Sequence, residues 1–161
     1  MKFHKAVLSA AFVLGIAGAA GVAWIGGGAP AQAAPLNFTL VDVSGTVTGT
    51  PESVEFSGKA KVGSRLAPDP DFNSPRFVLT IDMTDVNGTG SLTGKKYVVP
   101  TEEVVQRRVA ASHMVSFSFP FVENGKEGLT ARAGKANFSL SFDMNTGVVT
   151  AATASVGSLP N

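Results

Sequence analysis

Asn137-Phe138-Ser139-Leu140-Ser141-Phe142-Asp143-Met144-Asn145-Thr146-Gly147 is the stretch that decides the fold class. Phe138, Leu140, Phe142 and Met144 alternate with Asn137, Ser139, Ser141 and Asp143. In an extended chain successive side chains point to opposite faces, so a period of two buries one face and wets the other. Asn145-Thr146-Gly147 then supplies a tight turn into Val148–Val156, and the segment reads as a β-hairpin.

The same period recurs upstream. Val115, Phe117, Phe119 and Phe121 alternate with Ser116, Ser118 and Pro120. Pro120 has no N–H for a ladder, so an edge or a bulge is expected there. Phe77, Leu79, Ile81 and Met83 form a third apolar face, and Val54, Phe56, Gly58, Ala60 and Val62 a fourth. Asn87-Gly88 reads as a type I′ turn between a strand ending near Asp85 and a strand Thr89–Val99. Asn124-Gly125 is expected to join Met114–Glu123 to Gly128–Ala133, and Ala67–Pro75 to form a proline-pinned loop. Pro100–Ser112 fits a short helix with Thr101 as N-cap, or a strand carrying Val104, Val105 and Val109. Seven or eight strands with turns every dozen residues predict an all-β fold, a single small antiparallel β-sandwich, with a β-barrel as the alternative.

The first residues have a different character. Lys2, His4 and Lys5 precede an uncharged run from Ala6 to Ile25, followed by Gly26–Pro30 and Ala31-Gln32-Ala33. Basic, apolar, breaker and A-x-A in that order describe a secretory signal over residues 1–33, cleaved after Ala33, and an all-β domain over 34–161. The alternative is an uncleaved membrane anchor, because the apolar run is long enough to cross a bilayer. On the first reading the domain is secreted or periplasmic and not embedded in a membrane. Cleavage removes two of the 13 basic residues and none of the 12 acidic ones, leaving the domain near neutral. That speaks against nucleic acid as a partner, which requires clustered Lys and Arg. With no cysteine, the core must hold without disulfides.

Chemistry-bearing constellations are sparse. His113 is the one histidine after the signal, too few for a histidine zinc site, and no G-x-S-x-G elbow offers it a nucleophile. Gly88-Thr89-Gly90-Ser91-Leu92-Thr93-Gly94-Lys95 is glycine-rich like a phosphate cradle, but its spacing fails and it reads as a hairpin turn. Asp69, Asp71, Asp82, Asp85 and Asn87 form a calcium candidate, since calcium takes six or more hard oxygens; equally, Asp and Asn are ordinary turn residues. Lys95, Lys96, Arg107 and Arg108 bracket the stretch that breaks the β pattern and are the candidate binding residues. No catalytic set and no cofactor is implied.

Three functions follow as expectations. The first is a non-enzymatic exported domain that binds a protein or a small molecule through its loops. The second is a carrier of an apolar small molecule in a barrel cavity. The third is a hydrolase using paired carboxylates.

Overall fold

A computed structural model describes residues 36–69, 71, 74–126 and 131–160. The expected signal segment lies outside them. Among the described residues the chain forms nine strands and no helix: β1 Asn37–Val47, β2 Val54–Asp69, β3 Ser74–Asp82, β4 Val86–Gly90, β5 Lys96–Val98, β6 Glu102–Arg108, β7 Ser112–Glu123, β8 Arg132–Phe142 and β9 Val149–Gly157. They belong to one mixed sheet in the order β1-β9-β8-β7-β5-β4-β2-β3-β6, with a further pairing of β1 to β2. The strand β1 therefore has a partner on each side.

Most pairs are antiparallel, as expected, but β1 and β9 run parallel, with Val43 opposite Ala154 and Gly45 opposite Val156. The path of the chain explains this. On β2, Lys61 faces Asp82 of β3 and Gly58 faces Val86 of β4, so two residues of β2 oppose three of the partner, 83–85. A single extra residue of that kind is a β-bulge, and β3 and β4 are one strand bent at it. In the same way β5 and β6 continue one path. The chain makes seven passes, up and down in turn, and an odd number leaves the first and last pointing the same way.

Several local readings are corrected. Asn87 and Gly88 sit inside β4, not in a turn; the hairpin closes at 91–95, where Gly94 N–H donates to the Gly90 carbonyl at 3.0 Å. Gly88 faces inward, and a Cβ there would stand 2.6 Å from Val54 Cγ1 and 2.8 Å from Phe56 Cε1. Its smallness makes room for the Phe56 ring. Pro100–Ser112 contains no helix: β6 pairs with β3 from Arg76↔Arg108 to Asp82↔Glu102. The proline-rich stretch is shorter as a loop than expected, since β2 runs to Asp69 and β3 begins at Ser74. The turn at 144–146 and the turn at Asn124-Gly125 fall where expected.

Pro120 has a partner in position. β5 meets β7 only at Tyr97↔Glu123 and Val98↔Val122, with Asn124 N–H donating to the Lys96 carbonyl at 2.8 Å. Extending that register places Pro100 opposite Pro120, at a position where both residues would exchange N–H···O bonds. Neither has an N–H. The ladder ends there, and β6 stays with β3 while β7 stays with β8.

The alternating residues fill the interior as their phase requires. Phe77, Leu79, Ile81, Met83, Phe119, Phe121, Phe138 and Leu140 are fully buried. Phe117 is half-buried, and Met144, at the turn, is exposed. At one end Phe56 meets Phe119 and Phe121 edge-on, with centroids 5.5 and 5.0 Å apart; at the other Phe77 stacks on Phe142 at 4.5 Å. Such pairs add about 0.5–1.5 kcal/mol each beyond the area they bury. The buried Ser64 hydroxyl donates to the Gly147 carbonyl at 2.7 Å, tying the β8–β9 turn to β2.

Candidate functional site

The candidate site is built where the β1–β2, β4–β5 and β7–β8 turns meet, at the Phe56 end of the sheet. Glu52 is its least expected member: a carboxylate only 4 % exposed. A buried carboxylate is tolerable only with its oxygens hydrogen-bonded. Its Oε2 accepts the Leu92 and Thr93 amides at 2.9 Å each, and its Oε1 accepts the Thr93 hydroxyl at 2.6 Å and the Tyr97 phenol at 3.2 Å. The Thr93 hydroxyl first, then the Thr93 amide, hold its carboxyl down at about 2. The approach is possible because β4 presents Gly90 inward here; a Cβ on Gly90 would collide with the Glu52 carboxylate. The glycine-rich turn does cradle an anion, then, but the anion is the protein's own. Tyr97 in turn is pushed up by burial first and by its bond to Glu52 second.

Beside this latch lies an open cleft of about 190 Å³. Pro51, Tyr97, Phe121 and Val122 give it apolar walls, and Glu123, Lys126 and Arg132 its charges. Glu123 is shared between Lys95 and Lys126, with N–O distances of 3.1 Å to each. Those two cations, Lys126 first, lower the Glu123 carboxyl, and Glu123 raises Lys95. Arg132 is different. It opens β8 opposite Phe121, on the inward phase of the strand, and its guanidinium lies 5.0 Å from the Phe121 ring centre. Its Nη1 is buried without a hydrogen-bond acceptor.

The residues singled out from sequence are dispersed. Lys95 and Lys96 stand at this end, Lys96 donating to the Thr89 hydroxyl at 2.9 Å. Arg107 and Arg108 lie at the far end of β6, roughly 36–40 Å along the strand path at about 3.3 Å per residue. There Arg108 borders a second cleft with Asp69, Ser74 and Arg76. The structure thus brings Lys95 to the candidate site and leaves Arg107 and Arg108 outside it. The calcium candidate is divided too. Asp69 lies opposite Ser74 where β2 meets β3, near Arg76 at 3.9 Å, and accepts the Asp71 amide at 3.1 Å. Asp82 is at the other end of β3, roughly 25 Å away by strand length. Its Oδ1 accepts the Thr84 amide at 2.9 Å and hydroxyl at 2.7 Å, the amide being the main cause of its lowered pKa. The Asn87 amide donates to the Asp85 carbonyl at 3.2 Å. Among the described residues no group of three or more His, Cys, Asp or Glu converges on one point. His113 packs edge-on to Phe77 and Phe142, with Nε2 2.7 Å from the Arg108 carbonyl.

Glu52, Tyr97 and Arg132 escaped the sequence reading, although two of them left a signal. Counting back by twos from Phe138 puts Arg132 on the inward phase, a charge where apolar residues belong. Tyr97 is the sole tyrosine of the chain and shares its phase with Val99, and a buried phenol calls for a partner. Comparison with models of protein families, with curated proteins and with solved structures finds no match.

Proposed function

We propose that this chain is an exported, barrel-like β domain that binds its ligand or partner, without catalysis, through the turns around Glu52 and Arg132. The cyclic pairing, in which β1 joins both β2 and β9, favours a closed barrel over the two-sheet sandwich suggested by the sequence. The observation that carries the binding reading is the Arg132 guanidinium, half-buried at the rim with Nη1 unpaired, beside a cleft whose other charges are mutually satisfied. Around it the Glu52 latch fixes the turns, and a rigid rim binds with little ordering cost.

Two observations weigh against the other functions. A carboxylate hydrolase needs an acid held protonated near neutrality, whereas the shifted carboxyls, Glu52, Asp82 and Glu123, all move down. An apolar carrier needs an internal pocket of a few hundred Å³. Here Phe56, Phe119 and Phe121 pack against one another across the interior of this end.

Native mass spectrometry of the protein from its own host, followed by hydrogen exchange with and without the co-purified species, tests the proposal. Protection confined, among the described residues, to 48–53, 91–95, 120–126 and 131–132 is the expected result. Protection on the outer face of β7–β9, or a bare protein from every host fraction, would overturn it.

A further inference from the structure

We infer that the cleft at the Phe121 end is a site for a small organic monocarboxylate with a flat apolar body. The inference rests on the reading of this end as the binding end and adds the chemistry of the ligand. Three features define that chemistry: charge, donor geometry and size.

Among the described residues, four charged groups besides Arg132 stand in or beside the cleft, and each is already answered. Glu52 takes four donors from Leu92, Thr93 and Tyr97. Glu123 balances Lys95 and Lys126 at 3.1 Å each, and with Glu52 beside them the cluster is close to neutral. Among the described residues the charge at this cleft without a counter-ion is Arg132, whose Nη1 is buried and lacks an acceptor. One uncompensated positive charge suits a monoanion better than a phosphoryl dianion.

The geometry favours carboxylate among monoanions. The Arg132 guanidinium lies over the Phe121 ring, 5.0 Å from its centre, and carries its N–H groups in a planar fork. A carboxylate can engage such a fork through two oxygens. The rest of the cleft asks for carbon. Pro51, Tyr97, Phe121 and Val122 line it with rings and a branched side chain. Its volume of about 190 Å³ is near that of an engineered cavity of roughly 150 Å³ which takes up benzene. A single ring or a short branched chain fills it, with the carboxylate on Arg132 and the body against Pro51 and Tyr97.

Benzoate is the probe, added to the protein purified from its host and stripped of any co-purified species, and followed by NMR. Benzoate should shift the Arg132 side-chain N–H resonance together with Tyr97 and Phe121. Benzyl alcohol, nearly the same shape without the charge, should bind at least about tenfold more weakly, as should Arg132→Gln. Arg132→Lys keeps the charge without the fork and should fall between. Lys135→Ala, which removes a cation from the same strand on its outer side, should leave affinity unchanged. No shift of the Arg132 resonance at millimolar benzoate in the wild type would overturn the inference, whatever the folding of the variants. Equal binding of benzoate and benzyl alcohol would do the same. Should the hydrogen-exchange test place a ligand at this end while benzoate fails, the binding end stands and the carboxylate chemistry falls; failure of both removes both.

Discussion

Glu52 and Arg132 show how differently two charged side chains can sit at one end of a sheet. Glu52 is buried and fully answered by donors, so its ionised form belongs to the folded state. Its carboxyl falls from 4.5 to about 2 on folding. A group with a depressed folded pKa contributes its stability above the unfolded value, and loses it as pH drops toward the folded one. The contribution is therefore complete at neutral pH and fades between about 4.5 and 2. Glu52→Gln should lower the melting temperature most at pH 7, since the amide cannot accept from Leu92, Thr93 and Tyr97 in the same way. The gap between variant and wild type should close as the pH approaches 2. Asp82 and Glu123, whose carboxyls are also lowered, are common to both proteins and cancel in the difference. A gap that is the same at pH 7 and pH 2.5 would mean that the latch contributes through shape alone.

At the scale of elements, the β5–β7 ladder stops two residues short of the position at which its register would set Pro100 opposite Pro120. Pro100 and Pro120 each lack the N–H that their shared position would use, so β6 and β7 part company there. Pro100→Thr with Pro120→Thr restores both donors, and the pair should gain slowly exchanging amides at positions 100 and 120. Each single change should restore one donor and protect less. Amides that exchange as fast as in exposed loops would show that the strands diverge for another reason, the bulge at 83–85 being the first suspect. This element also shows what local sequence leaves out. Asn87-Gly88 carries the composition of a type I′ turn, yet pairing with residues 54–58 of β2 keeps it extended. Gly88 is small because the Phe56 ring lies over it, a reason located thirty residues away.

The whole molecule joins an N-terminal segment read from composition to a sheet read from periodicity. If Ala31-Gln32-Ala33 is a processing site, exported material should begin at Ala34, and Ala33→Lys should block processing because the position before the cut accepts only small side chains. N-terminal sequencing that finds Met1 on membrane-bound protein would establish the anchor instead. Within residues 36–160, alternation read along the chain was enough for strand character, the inward face of β2, β3, β7 and β8, and two of the turns. It was enough because the alternation of side chains follows from the covalent geometry of an extended chain and needs no partner. Which strands pair, and that β1 runs parallel to β9, emerged only from the folded chain. It alone brought Glu52 to Leu92 and Thr93, some forty residues on, and Arg132 to Phe121 beside an open cleft. Those outcomes depend on register and on contacts between distant segments, where the cost of burying a charge or losing an N–H is settled by whichever group the fold sets opposite it.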